Sequence, residues 1–170
     1  MLHIVLDIDN TLITHSIDPH CKNKLIANSE ISGAYYRTGL IKFLDNCFDN
    51  FASVSLWSTS IAAWVSRFVN SLPDQMHNKF LFTWAGNKCT ICDDIPIKSL
   101  KSMWNTNLAR DIGMTEHNTV IVDDNKCVCI HNPKNHLQIT AYYQYSDKPD
   151  NALDTVYATL IEKQKLLVKA

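Results

Sequence analysis

Glycine is scarce in this sequence, 4 among 170 residues, and no Gly/Ser-rich stretch, internal repeat or low-complexity tract interrupts it. With no linker to divide it, 1–170 is expected to be a single domain, long enough to bury a substantial core. Neither sign of charge dominates. The 16 Lys and Arg residues against 17 Asp and Glu give a net charge of −1, which leaves no electrostatic footprint for a nucleic-acid partner. No run approaches the roughly 18 apolar residues of a membrane span. The first residues lack the basic region and long apolar run of a signal peptide. The six cysteines therefore read as reduced thiols of a cytosolic or other intracellular protein, not as a disulfide framework. Asn outnumbers Ala, a bias of AT-rich coding sequences such as those of viruses, parasites and intracellular bacteria; for such a source the expected compartment is the host cell. A monomer is expected.

What the sequence does have stands at its start. In "HIVLDIDNTLITHS" (His3 to Ser16) an apolar run is broken by Asp7 and Asp9. Asp-x-Asp at a strand end is often a turn, because Asp side chains bond nearby backbone amides. Burying two carboxylates side by side is costly, however, unless a cation or hydrogen bonds neutralise them. An oxygen-rich pocket suits a hard cation such as Mg²⁺, and a third carboxylate should then lie elsewhere in the chain.

Strands and helices alternate. His3–Leu6, Ser53–Trp57, Lys79–Trp84, Thr119–Val122 and Leu137–Ala141 read as strands. Leu40 to Phe51 carries Leu40, Phe43, Leu44, Cys47, Phe48 and Phe51 at helical spacing. Ser60 is the expected N-cap of a helix with Ile61, Trp64, Val65, Phe68, Val69 and Leu72 on one face. A helix is expected over Ser99 to Ile112 with Leu100, Met103, Trp104 and Leu108 inward and Gly113 as its stop, and another over Asp150 to Val168. The alternation predicts an α/β fold, a Rossmann-like three-layer α/β/α core around a parallel sheet. Ligands bind beyond the carboxyl ends of such strands. Asp7 and Asp9, Ser58, and Asp123-Asp124 all stand at such ends.

These segments resemble the haloacid dehalogenase (HAD) superfamily. The match is "DIDNT" (Asp7 to Thr11), "WSTS" (Trp57 to Ser60), "IKSL" (Ile97 to Leu100) and "VIVDD" (Val120 to Asp124), in order and each at a strand end or helix start. The finer resemblance is to phosphatases of the RNA polymerase II C-terminal domain and their NLI-interacting-factor-like relatives, through "YRTGLIKFL" (Tyr36 to Leu44), "TLITHS", "KSLKSMW" and "DNALDTVYATL". The chain departs from the family at Asn10 (often Glu), Thr38 (usually Pro), Ser58 (commonly Thr) and Asp124 (Asn in some members). None of these removes a required functional group.

The resemblance implies a Mg²⁺-dependent phosphatase. Asp7 is then the nucleophile that forms an aspartyl-phosphate, and Asp9 the general acid and base. Asp7, the backbone carbonyl of Asp9, and Asp124 hold Mg²⁺. Ser58 and Lys98 bind the phosphoryl oxygens, while Thr11 and Asp123 support them. Other readings remain open. Ser58 is also a helix cap, Lys101 is an alternative to Lys98, and Asp123-Asp124 is also a turn. Cys89, Cys92, Cys127 and Cys129 with His131 offer a Zn²⁺ site of uncommon spacing. A cysteine-nucleophile phosphatase is disfavoured, since no Cys precedes a glycine-rich phosphate loop ending in Arg. Trp64, Phe68 and Trp104 read as core rather than as a binding stripe.

The gaps between motifs leave room for a small insertion around Gly86–Pro96 but no cap domain. An open site favours a phosphorylated protein or peptide over a small metabolite. The alternatives are a phosphatase of small-molecule or nucleic-acid-end phosphates and a catalytically silent phosphopeptide-binding module.

Overall fold

The structure, a computed structural model, describes residues 1–15, 34–143 and 150–169. In chain order the strands are β1 (His3–Leu6), β2 (Ile13–His15), β3 (Ala34–Tyr36), β4 (Ser53–Trp57), β5 (Phe80–Trp84), β6 (Thr90–Cys92), β7 (Ile95–Ile97), β8 (Thr119–Asp123) and β9 (His136–Gln138). The helices are α1 (Leu40–Asn50), α2 (Ala62–Ser71), α3 (Asp74–His77), α4 (Leu100–Trp104), α5 (Asn107–Asp111) and α6 (Ala152–Lys169). A parallel five-stranded sheet runs β5-β4-β1-β8-β9. The chain winds outward from β1 through β4 to β5, then returns to the other side of β1 for β8 and β9. That reversal beside β1 is the crevice in which open α/β sheets bind ligands.

Both faces of the sheet are covered, which is why β1 and β8 read as unbroken apolar runs. Ile4 and Leu6 point into one core with Leu40, Phe43 and Leu44 of α1, Trp64, Val65 and Phe68 of α2, and Leu153, Val156 and Leu160 of α6. Val5 and Ile121 point into the other, with Leu100 and Met103 of α4 and Ala109 of α5. The expected three-layer α/β/α core is thus observed.

The expected helix over Ser99–Ile112 is two helices. Ser99 caps α4 by accepting from Ser102 N–H at 3.3 Å, and Thr106 caps α5 by accepting from Ala109 N–H at 3.2 Å. The restart resets the helical phase, so Ala109 turns inward and Leu108 lies 37% exposed. Gly113 follows with φ 71, as expected of a stop. The last strand spans His136–Gln138, earlier than Leu137–Ala141, because pairing with β8 ends where Ile139 N–H donates to Asp123 O.

Two antiparallel strand pairs were not expected. β2 and β3 pair antiparallel; residues 16–33 between them, including Ser16 of the opening stretch, lie outside the described residues. β6 and β7 pair antiparallel across Asp93 and Asp94, both left-handed (φ 49 and 62), and occupy the expected insertion. Among the described residues no large cap domain covers the core. Among the described residues no helix is long and apolar enough to cross a membrane.

Candidate active site

Asp7 is the next residue after β1. Its N–H donates to Val122 O at 3.0 Å, so the ladder carries it onto the Val5 face of the sheet. Lys98 arrives on that face from between β7 and α4. Its Nζ donates to Asp7 Oδ1 and to Asp123 Oδ2, each at 2.6 Å, with the side chain fully buried. Lys98 is therefore the lysine of the site, and Lys101 lies exposed on α4. Asn132 fixes the lysine's backbone: its amide donates to Lys98 O and accepts from Leu100 N–H at 3.0 Å. Lys98 N–H itself donates to Val128 O at 2.8 Å.

Asp124 stands beside this triad. Thr11 Oγ1 donates to Asp124 Oδ1 at 3.4 Å and accepts from Asp124 N–H at 3.3 Å. Carboxylate oxygens of Asp7, Asp123 and Asp124 lie within 4.8 Å of one another. Lys98 thus brings one ammonium to three carboxylates.

The titration of these groups follows. Burial raises the Asp7 carboxyl above the usual carboxylate range against the pull of Lys98, and the charges of Asp123 and Asp9 push the same way as burial. Burial, then Asp123, raises Asp124. Burial alone would lower Lys98, but the Asp7 and Asp123 carboxylates outweigh it and hold the ammonium charged, above the ordinary lysine value. The cluster is short of positive charge, and its donors are all carboxylate oxygens. That combination fits a hard divalent cation.

The Asp9 carboxylate turns the other way, toward the start of α2. Ser58 Oγ donates to its Oδ2 at 3.1 Å and Ser60 Oγ to the same atom at 2.9 Å; Trp64 Nε1–H donates to Oδ1 at 2.8 Å. Ser58 is not the cap of α2, and neither is Ser60. The N-cap position is Ile61 and carries no side-chain cap, because both hydroxyls are engaged at Asp9. Ser58 Oγ also accepts from Ser60 N–H at 2.9 Å, folding the loop into a tight turn. Gly86 closes this loop from below. Its N–H donates to Ser60 O at 2.7 Å, and a Cβ there would stand 2.4 Å from Thr59 O.

Arg37 braces the first motif. Buried, it donates from Nη1 to Thr11 O at 3.1 Å, from Nη2 to Thr140 O at 2.9 Å, and from Nε to Asp150 Oδ2 at 2.7 Å. Its guanidinium also lies 5.1 Å from the Tyr142 ring centroid. Asn10, where the resemblance leads one to expect Glu, has φ 59, a left-handed conformation that Asn adopts readily.

The structure thus gathers Asp7, Lys98, Asp123, Asp124 and Thr11, and seats Asp9 and Ser58 beside them. Sequence reasoning missed Ser60 and Asn132 as site residues and took Trp64 for core alone. The helical spacing that places the Trp64 ring in the core hides the use of its N–H. Phe68 is core as read, and Trp104 packs against the Leu100 side of the sheet with its Nε1–H on Thr119 Oγ1 at 3.1 Å. Among the described residues the cysteines form no group of three metal-ligating atoms; Cys89 and Cys129 pack into the core beneath the site.

A doubly wound sheet whose central strand runs into a buried carboxylate held by lysine is the arrangement expected of the haloacid dehalogenase superfamily. The sequence as a whole narrows it. The model of NLI interacting factor-like phosphatases matches residues 2–167, and the chain belongs to that family. A Schizosaccharomyces pombe protein described as an uncharacterized FCP1 homology domain-containing protein is 23% identical over 155 residues, 82% of this chain and 60% of the relative. Among solved structures, Fcp1, an essential RNA polymerase II CTD phosphatase, superposes with a TM-score of 0.62 at 16% identity, over 98% of this chain and 48% of that one. An uncharacterized Listeria monocytogenes protein gives a TM-score of 0.64 at 16% identity, over 97% and 99% of the two chains. This chain thus spans 60% of the curated relative and about half of the Fcp1 chain.

Proposed function

We propose that the chain is a Mg²⁺-dependent phosphoprotein phosphatase that hydrolyses phosphomonoesters through an aspartyl-phosphate on Asp7. The observation that carries this reading is the placement of Asp7, at the end of the central strand and hydrogen-bonded to the Lys98 ammonium at 2.6 Å, within one cluster with Asp123 and Asp124. Asp7 and Asp124, with the backbone carbonyl of Asp9, would hold Mg²⁺. When bound, the cation screens the anionic nucleophile from the anionic substrate.

A carboxylate oxygen of Asp7 attacks phosphorus as the bond to the leaving oxygen breaks. Asp9, protonated, gives its proton to that oxygen. Asp9, now ionised, takes a proton from water as the water attacks the phosphoryl group, and inorganic phosphate leaves with Asp7 restored. Lys98 sets a fixed positive charge where negative charge shifts, and Asp123 keeps its Nζ in place. The Ser58 hydroxyl turns from Asp9 to a phosphoryl oxygen when substrate is present.

A protein or peptide substrate is supported by the lack of a large cap among the described residues. Between Ser58 and Lys98 the chain spends its length on α2, α3, β5 and the small β6–β7 hairpin. The test is a phosphopeptide panel assayed with Mg²⁺, with EDTA, and with Asp7→Asn. Release of phosphate that needs Mg²⁺ and disappears in Asp7→Asn, with the fold intact by circular dichroism, is expected. Activity that survives either treatment would sink the mechanism, and activity confined to small phosphate esters would remove the protein substrate.

A further inference from the structure

We propose that Trp64 is a positioning residue for the acid/base carboxylate, its indole N–H fixing Asp9 so that Asp9 keeps its place when the neighbouring hydroxyls turn to substrate. The inference rests on the acid/base role given to Asp9 above. Ser58, Ser60 and Trp64 all donate to Asp9, and they differ in kind. Ser58 and Ser60 both reach Oδ2, at 3.1 and 2.9 Å, through hydroxyls that can rotate to another acceptor. Trp64 reaches Oδ1 at 2.8 Å through an N–H that can only donate and has one direction.

The ring that carries this N–H cannot swing. Trp64 is 8% exposed and packs into the core shared by α1, α2, β1 and β4. Its neighbours on the helix face, Val65 and Phe68, are apolar and buried, so a phenylalanine would satisfy the packing requirement. The N–H is what a purely structural residue would not need. Trp57 makes the contrast among the described residues: it is fully buried, and its Nε1 meets no carboxylate, only the weakly accepting thiol of Cys89. A tryptophan at this end of the sheet is thus tolerated as plain core, whereas Trp64 is aimed at a carboxylate two residues beyond the nucleophile.

The consequence is specific to the proton. If Ser58 leaves Asp9 to bind the phosphoryl group, Trp64 still fixes one oxygen, and the carboxyl stays in reach of the leaving oxygen. Without the indole N–H, Asp9 loses a fixed reference at the moment its hydroxyl partners are drawn away. Esters with good leaving groups need no proton and should not register the loss. Esters with poor ones should.

The experiment compares wild type, Trp64→Phe and Asp9→Asn on aryl phosphates running from p-nitrophenyl to p-methoxyphenyl phosphate. It reads kcat/KM, which reports the step in which the leaving group departs. Trp64→Phe is expected to lose roughly tenfold on the poorest leaving group and less than about twofold on p-nitrophenyl phosphate, giving a steeper leaving-group dependence. Asp9→Asn should show the same pattern with a larger loss, roughly 10²–10⁴-fold. An equal loss on every ester, or no loss on any, overturns the positioning role while leaving Asp9 its own. A flat Asp9→Asn profile overturns the acid/base reading itself and this inference with it. Should Trp64→Phe fail to fold, β-(3-benzothienyl)alanine incorporated at position 64 decides the matter. It keeps the bicyclic shape, replaces the N–H with sulfur, and is judged by the same two profiles.

Discussion

The amide of Asn132 clamps the backbone after Lys98, donating to the lysine's own carbonyl and accepting from Leu100 N–H at 3.0 Å. One side chain from the loop before β9 thus fixes the backbone that leads from the residue facing Asp7 into α4. Asn132→Ala would leave a buried C=O and a buried N–H without partners, each costing about 1–3 kcal/mol. Chemical denaturation should show a loss of about 2–4 kcal/mol, with turnover falling further than the remaining folded fraction explains, because Lys98 loses its placement. Unchanged stability would show that the loop repacks around the alanine.

Gly86 meets the second motif at closer range than any side chain allows. The Cβ of Gly86→Ala would stand 2.4 Å from Thr59 O, so the backbone between Ser58 and Ser60 must give way. Overpacking of this kind costs about 1–3 kcal/mol. The variant is expected to fold, to melt a few degrees lower, and to lose phosphate-releasing activity out of proportion to that shift. Full activity would mean that the Ser58–Ser60 turn does not need its present position.

Much of this architecture is legible in sequence, and the illegible parts share a cause. β1, β4 and β8 are apolar runs buried on both faces, so composition alone marks them. Asp7, Asp9, Asp123 and Asp124 stand out because acids interrupt or close those runs. Asn132 sits in "HNPKN", where every neighbour favours a loop, and nothing local tells a backbone clamp from a turn. The break at Thr106 hides in the same way, since Leu100, Met103 and Leu108 keep near-helical spacing across it. Arg37 belongs to the stretch that carries the family resemblance, but its partners Thr11, Thr140 and Asp150 come together only through the tertiary fold.

Arg37 ties the first motif to the chain's C-terminal quarter, and cutting it should be felt at the proposed Mg²⁺ site. Arg37→Ala leaves the Asp150 carboxylate unpaired; with some solvent access retained there, a loss of about 2–4 kcal/mol is expected in thermal or denaturant unfolding. The variant also frees Thr11 O, and Thr11 Oγ1 is the hydrogen-bond partner of Asp124. The Mg²⁺ concentration giving half-maximal activity should rise several-fold. A stability loss with an unchanged Mg²⁺ requirement would confine Arg37 to holding the fold.

Beryllofluoride should trap the proposed nucleophile. Bound to the Asp7 carboxylate it resembles an aspartyl-phosphate, and its binding should require Mg²⁺. A ligand that binds only the folded state stabilises by mass action, about 2.7 kcal/mol at one hundred times its dissociation constant, so the melting temperature should rise. Lys98→Ala should lose most of that rise and Lys101→Ala none of it. The opposite result would assign the phosphate-binding role to the exposed lysine of α4.

The strand order has a consequence for how the protein is made. Thr11 and Asp124, which hydrogen-bond across the site, are 113 residues apart in the chain. During synthesis β1 leaves the ribosome well before its neighbour β8, which lies more than a hundred residues further along the chain. Until then Ile4, Val5 and Leu6 lack one flanking strand, and Asp7 lacks both Lys98 and the acids of β8. The cluster around Asp7 therefore cannot form as an early, local unit. It comes into being among the last long-range contacts, when a nascent chain with exposed strand edges is most open to chaperones and to aggregation.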